Sequence, residues 1–186
     1  MRLQISLSHD AAVKIVSVAI DAARAKNMLP LTVVVLDAAG KIIASQSEDG
    51  SGLMRFDIAR GKAWGALGMG MSSRLIRDRL ASRPSFQAAL ATVADGKFVP
   101  VPGGVLVMAE DGTVIGAVGI SGDTSEKDEY CAIAAIIAAG FQSEPETPDD
   151  HWRDSSLSGA PVKARVADKS SGICKPLGAK DMKAKH

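Results

Sequence analysis

The chain has 186 residues, of which 46% are hydrophobic and 23% charged, and its formal net charge is +1. This composition is that of one globular domain that can fold without a metal or a disulfide. The balanced charge excludes a general electrostatic attraction to nucleic acid or to a membrane surface. Aromatic residues make up 4% of the chain, so small aliphatic residues are expected to do most of the packing.

Two further features of the sequence predict where the protein works. Residues 1–6 lack the apolar core of a signal peptide, and no apolar run reaches the roughly 20 residues that cross a bilayer. Cys131 and Cys174 stand in no metal-ligand or redox spacing, and both are expected to be reduced and unpaired. We therefore predict a cytoplasmic protein whose partners include neither nucleic acid nor a membrane.

The first half of the chain predicts a helix, a hairpin and further helices. Ser8 is a candidate helix N-cap, and apolar residues then recur at three-to-four spacing up to Ala23. The apolar, mostly β-branched residues 31–36, a turn at residues 37–40 and an alternating segment to residue 47 indicate a β-hairpin. The helical patterns that follow cover residues 53–67, 72–80 and 84–90.

The second half predicts another hairpin and a last helix. A proline- and glycine-containing turn leads into a strand at residues 105–108, and a second strand is predicted at residues 113–121. The last helix is predicted to begin near Asp123 or Thr124 and to end at a Gly140 cap. Because two hairpins with flanking helices do not alternate as βαβ units, we predict an α+β domain with an antiparallel sheet flanked by helices.

The composition changes after Phe141. Acidic residues and prolines follow, and from Arg153 onward the chain is rich in serine, glycine, alanine and lysine, a composition without a core of its own. We predict a domain at residues 1–141. Residues 142–186 are predicted to form a C-terminal arm that packs on its own or a neighbouring subunit.

Two segments could contribute to a ligand site. Lys62 lies on a helix of small and apolar residues, where it could face a cleft and hold an anion or, if desolvated, act as a base. The alternative is a lysine on the solvated surface. The turn at Pro102, Gly103 and Gly104 could offer backbone N–H groups to a carboxylate, and its alternative is a tight turn before a strand.

A third segment runs from the second hairpin into the last helix. Gly119, Ser121 and Thr124 lie where a strand ends and a helix begins, which is a potential seat for an anion. Asp128 also suits the dipole of that helix, so a structural role is an equal alternative. The sequence has no P-loop, HExxH or CxxC signature, and we predict no metal site.

Four segments, taken in order, resemble the GlcG/HbpS-like family, which includes the C-terminal domain of PduO-type proteins. They are residues 33–40, 57–63, 102–105 and 116–122, followed by Asp128 and Glu129. The resemblance implies a profilin-like three-layer α/β/α sandwich and a homo-oligomer, often an octamer. It also implies that the chain could bind haem, as some relatives do, or serve organic-acid catabolism, as operon context suggests for others.

The sequence and the resemblance leave two functions open. In the first, a binding protein holds haem or a small anionic organic acid, with Lys62 pairing with a carboxylate and Gly103 and Gly104 donating hydrogen bonds. In the second, a lyase, isomerase or hydrolase acts on a small hydroxy- or keto-acid, with Lys62 as base or electrostatic stabiliser and Asp37 or Asp128 as its acidic partner. An oligomeric accessory protein without a ligand is a third interpretation.

Haem is the cofactor that the resemblance raises, and the sequence offers few axial ligands for its iron. His9 is the best placed of them. Tyr130, Cys131, Met69 and Met71 are conceivable. The sequence also lacks the secretion signal of the family's extracellular haem sensor.

Overall fold

The computed structural model describes residues 5–157, which contain five helices and five strands. The helices are α1 (His9–Ala25), α2 (Arg55–Met69), α3 (Ser73–Leu80), α4 (Pro84–Val93) and α5 (Ser125–Ala138). The strands are β1 (Thr32–Asp37), β2 (Ile42–Ser47), β3 (Gly104–Met108), β4 (Val114–Ser121) and β5 (Gln142–Glu144). None of the helices in this part of the chain is long and apolar enough to cross a membrane.

The strands within residues 5–157 form one antiparallel sheet in the order β2-β1-β4-β3-β5. The two predicted hairpins therefore lie side by side, with β1 and β4 paired between them. Residues 32–36 of β1 are buried because helices cover both faces of the sheet, which is why its apolar residues run without alternation. The predicted α+β fold with an antiparallel sheet is confirmed.

Alternate side chains of the central strands face two different helical layers. On one face, α1 and α5 pack against a set of valines and isoleucines: Val33, Val35, Val105, Val107, Val118 and Ile120. On the other face, α2 packs against a smaller set: Val34, Leu36, Leu106 and Ala117. The resulting order of layers is helices, sheet and helices.

Glycines let α2 approach the sheet closely. A Cβ at Gly119 would collide with the backbone of α2, and a Cβ at Gly104 would collide with the carbonyl group of Lys62. On the opposite side of α2, a Cβ at Gly61 would lie 2.6 Å from the side chain of Val99. The helix α2 is thus held between the sheet and the segment 97–101. This close packing explains why α2 contains glycine at position 61, although a glycine in a helix costs roughly 1 kcal/mol of stability relative to alanine.

The sequence did not predict β5. Its three polar residues carry no strand pattern, and they form a strand because β3 offers them a free edge, where Ser143 pairs with Val107. Beyond β5, the side chain of Arg74 donates a hydrogen bond of 2.8 Å to the carbonyl of Thr147. Residues 142–157 of the predicted arm therefore contact their own domain, while residues 158–186 lie outside the described residues.

Candidate functional site

Lys62 and Asp128 form a buried ion pair that links α2 to α5 past the end of the sheet. Nζ of Lys62 lies 2.9 Å from Oδ2 of Asp128 and donates a second hydrogen bond, also of 2.9 Å, to the carbonyl of Ile120. The two side chains are only 2% and 1% exposed. The pair joins helices on opposite faces of the sheet, and Asp128 is one of the two acids considered as a partner for Lys62.

The Asp128 carboxylate has a second partner. Its Oδ1 accepts a hydrogen bond of 3.1 Å from the backbone N–H of Asp123 at the start of α5. Burial raises the pKa of the Asp128 carboxyl above its usual value, and the charge and hydrogen bond of Lys62 oppose that rise. Removing one partner of such a pair leaves an uncompensated buried charge, so the pair holds α2, β4 and α5 in register.

The predicted glycine turn closes over this ion pair. Gly103 has a φ of +109°, and a Cβ there would lie 2.9 Å from Nζ of Lys62 and 3.1 Å from Cβ of Asp128. The structure thus brings Lys62, Gly103 and Asp128 together in a space too small for a side chain.

Other backbone groups of this turn also have partners within the protein. The N–H of Gly104 donates to Oγ of Ser73 at 2.7 Å, and the carbonyl of Gly103 accepts from the N–H of Ile120 at 2.9 Å. Pro102 is buried beside them. In this conformation the turn offers the Gly104 N–H to Ser73 rather than to a ligand carboxylate.

The remaining predicted ligand contacts lie around the same sheet end. Oγ of Ser121 accepts a hydrogen bond of 3.2 Å from Arg55. Thr124 is the N-cap of α5, where its Oγ1 accepts from the N–H of Lys127 at 3.4 Å. Gly119 packs against the backbone of α2.

Asp37 is not brought together with Lys62. It pairs with Gly116 near the beginning of β4, whereas Lys62 reaches a carbonyl near the end of that strand. The Asp37 carboxylate instead accepts backbone hydrogen bonds from Ala39 at 3.0 Å and from Lys41 at 2.9 Å. It thereby organises the β1–β2 turn.

His9, the candidate axial ligand, lies at the exposed start of α1. Its side chain is 74% exposed, and Nδ1 lies 3.7 Å from Oδ1 of Asp10, while Nε2 has no partner within residues 5–157. Val13, one helical turn further, is 45% exposed, and Ile5, just before the helix, is 76% exposed. An accessible ring nitrogen thus lies on a surface that also exposes apolar side chains.

The other conceivable haem ligands are less accessible. Cys131 is fully buried, and burial raises the pKa of its thiol to about 12. The ring of Tyr130 stacks on Trp152 with 3.8 Å between ring centroids. Met69 and Met71 pack against the apolar cluster formed mainly by residues of α3 and of the segment after α4.

Glu129 is a buried ionisable residue to which the sequence analysis gave no role. It is 0% exposed, and its Oε1 lies 3.4 Å from the guanidinium of Arg74, but neither oxygen has a hydrogen bond within residues 5–157. Burial raises the pKa of its carboxyl to about 7, although Arg74 and Arg77 oppose the rise. In the sequence Glu129 stands with Asp128 in the segments that resemble the family, but no local pattern shows that its carboxylate is buried.

Two depressions in the described surface have volumes of about 380 and about 400 Å³. The first lies beside Ile137 and Phe141. The second is lined by acidic side chains, among them Asp149 and Asp154, together with His151. Lys62 lines neither of them, and residues 5–157 contain no group of three metal-ligating side chains that could hold an ion.

The structure is a small α+β domain with a layered sheet. Its buried polar cluster around Lys62 and Asp128 leaves no room for a further side chain. Residues 7–137 match the family described as haem degrading protein HbpS-like, and the chain belongs to this family. The resemblance carried by the four sequence segments is confirmed.

Relatives cover most of this chain. An uncharacterised 15.0 kDa protein from the dhaT–dhaS intergenic region of Citrobacter freundii is 29% identical over 133 residues, which are 72% of this chain and 92% of that protein. The solved structure of a PduOC–haem complex is 26% identical with a TM-score of 0.68, covering 75% of this chain and 99% of that chain. The structure of HbpS is 25% identical with a TM-score of 0.64, covering 75% and 94%.

Proposed function

We propose that this protein binds haem as a homo-oligomer, with His9 as an axial ligand of the iron. The observation that carries the proposal is the exposed imidazole at the start of α1, with Nε2 free of any partner in residues 5–157 and with apolar side chains exposed nearby. Imidazole is a common axial ligand of haem iron. The family match and the haem complex of PduOC support the same ligand.

His9 fits haem better than the other histidine in residues 5–157. His151 lines the acidic depression with Asp149 and Asp154, and carboxylates would repel the propionates of haem. Val13, one helical turn from His9, and Ile5, which precedes α1, are exposed and can instead contact the apolar faces of a porphyrin. His186 lies outside the described residues.

The buried cluster of Lys62, Gly103 and Asp128 is a less suitable site for haem or an organic acid than the surface around His9. Lys62 already pairs with Asp128, and both are almost completely buried, so the carboxylate of a ligand would have to displace that of Asp128. The Asp128 carboxylate would then be buried without its cation, which costs several kcal/mol. We therefore propose that the ligand binds at α1.

The assembly and location expected from the sequence belong to the same proposal. The protein would act in the cytoplasm as a homo-oligomer, with an octamer as the expected size. Its partner would be a small molecule, rather than nucleic acid or a membrane. The nearly balanced charge of the chain supports the last point.

The test is a titration of the purified protein with hemin, followed by absorbance in the Soret region. His9→Ala is the decisive variant, and His151→Ala is its matched control, because both histidines are exposed. We expect saturation at one haem per subunit in the wild type and in His151→Ala, and loss of the specific shift in His9→Ala. Unchanged binding by His9→Ala, with circular dichroism showing an intact fold, would refute His9 as the ligand.

A second candidate is an enzyme that acts on a small hydroxy- or keto-acid. The observation in its favour is the 2.9 Å approach of Lys62 to Asp128, which places a base and an acid together. A thermal-shift screen of such acids tests it, with Lys62→Met as the variant that should lose any response. If no acid shifts the unfolding temperature of the wild type, this candidate is abandoned.

A further inference from the structure

The helix α4 has a composition that does not fit a helix facing only water. Its ten residues include no charged side chain, and none of them is buried. Phe86 is 46% exposed and Val93 is 84% exposed. A helix on the surface of a monomer normally turns charged residues to the solvent, and exposed apolar residues that form a patch indicate a binding surface.

One side of α4 is already occupied by its own domain. The side-chain amide of Gln87 donates a hydrogen bond of 2.9 Å to the carbonyl of Leu80 at the end of α3, and Leu90 packs against the neighbouring apolar cluster. Phe86, Ala89 and Val93, at i, i+3 and i+7 spacing, form a separate stripe along the helix. We define this stripe as the α4 surface.

Charges flank this uncharged helix at both ends and have opposite signs. Arg83 precedes α4, is exposed, and its side chain has no ion-pair partner within residues 5–157. Asp95 follows α4 with 92% of its side chain exposed, and its carboxylate lies 3.5 Å from Nζ of Lys97, its one ion-pair partner within residues 5–157. If a second α4 lay antiparallel on the first, Arg83 of each copy would meet Asp95 of the other, and the uncharged stripes would meet in between.

We propose that the α4 surface is a contact between two copies of this chain, packed antiparallel about a two-fold axis. Such an axis requires a surface that complements itself, and an uncharged helix with opposite charges at its ends meets that requirement. Ala89 lies midway between Phe86 and Val93, so the axis would pass close to it, where a small residue lets two helices approach.

The size of the α4 surface limits what this contact does alone. A ten-residue helix is about 15 Å long, and a stable interface buries about 800 Å² on each partner. We therefore expect α4 to be one contact among several in the homo-oligomer, so that breaking it produces a smaller species with folded subunits. The inference rests on the proposed function only for the existence of a homo-oligomer, and it requires no haem.

The first experiment traps the contact covalently. Ala89→Cys, in a full-length chain with Cys174→Ser, should form a disulfide-linked dimer under mild oxidation, because residue 89 would face its own copy across the axis. Ser17→Cys in the same background is the control, since Ser17 on α1 is also exposed. A covalent dimer with Ala89→Cys but not with Ser17→Cys supports the contact, and equal or absent cross-linking of the two refutes it.

The second experiment measures mass by light scattering over a range of concentrations. We expect Val93→Arg to reduce the mass of the assembly, Asp95→Arg to do so more weakly, and Arg83→Asp combined with Asp95→Arg to restore it. A wild-type assembly that none of these variants changes would refute the α4 contact but leave the homo-oligomer intact.

A wild type that is monomeric at every concentration would overturn both the α4 contact and the proposed homo-oligomer. A chain ending at residue 157 that loses its assembly, while Val93→Arg keeps it, would assign the contact to residues 158–186 instead.

Discussion

Nζ of Lys62 on α2 lies 2.9 Å from Oδ2 of Asp128 on α5, so this ion pair joins two helices that pack on opposite faces of the sheet. Because Gly103 leaves no room beside this pair, we expect the pair to hold the three layers together. Stability measurements on variants of the pair can separate this role from ligand binding.

Lys62→Met is expected to destabilise the protein by about 3–5 kcal/mol, because it leaves the Asp128 carboxylate buried without its cation. Urea unfolding followed by circular dichroism measures this loss. The double variant Lys62→Met, Asp128→Asn removes the charge as well, and should recover part of the stability. A Lys62→Met protein as stable as the wild type would contradict a structural role for the pair.

Two glycines of α2 should respond to alanine in opposite directions. Gly61→Ala is expected to lower stability by about 1–3 kcal/mol, because its Cβ would lie 2.6 Å from Val99. Gly68→Ala on the same helix meets its nearest neighbour at 3.9 Å, and should raise stability by up to about 1 kcal/mol. Thermal unfolding of the two variants in parallel checks the difference, and similar effects of both would argue against the close packing of the segment 97–101.

The raised pKa of Glu129 predicts how the stability of the protein depends on pH. Burial raises the pKa of its carboxyl in the folded protein from 4.5 to about 7, so the folded chain binds more protons than the unfolded chain between these values. The contribution of Glu129 to the free energy of unfolding should therefore be greatest below about pH 4.5. It should decrease by roughly 3 kcal/mol as the pH rises to about 7. Unfolding in urea across this range measures the slope.

Glu129→Gln is the control for that slope, since it cannot ionise. The variant should be more stable than the wild type at pH 8, and its stability should depend less on pH between about 4.5 and 7. Some dependence of the same sign should persist, because burial also raises the pKa of Asp128. An equal slope in the wild type and the variant would show that Glu129 does not titrate in this range.

Thr124 is expected to act through the helix it caps. Thr124→Ala removes the oxygen that accepts from the N–H of Lys127, and should cost about 1 kcal/mol of stability. Thr124→Ser keeps that oxygen and should stay close to the wild type. If Thr124→Ala left stability unchanged while haem affinity fell, Thr124 would have to be reassigned to a ligand site.

Local patterns in the sequence were sufficient for the elements with a strong period or cap. Ser8 caps α1 as predicted, and α5 begins after Thr124, close to the predicted start. The mostly apolar run at residues 31–36 correctly indicated the strand β1. β5 could not be predicted, because Gln142–Glu144 has no strand pattern and pairs only where β3 leaves an edge free.

The candidate site shows the limit of these patterns. The sequence identified Lys62, Gly103 and Asp128 and considered Asp37 or Asp128 as the acidic partner of Lys62, but it could not choose between the two acids or show that Lys62 is buried. Spacing along the chain does not determine whether a polar side chain meets a ligand, water or another side chain. Glu129 belongs to the segments that carry the family resemblance, but its burial was not predictable, because that burial arises from α3 and from residues after β5.

The sequence by itself determined the α+β class, the two hairpins and the family, because hydrophobic period, turn residues and short motifs act over neighbouring residues. Tertiary structure alone decided that Lys62 is buried against Asp128 and not against Asp37, which lies at the other end of β4, and that α4 keeps an exposed apolar surface. These outcomes depend on contacts between residues dozens of positions apart. Such contacts are fixed by how the helices pack on the sheet, and no local pattern encodes them.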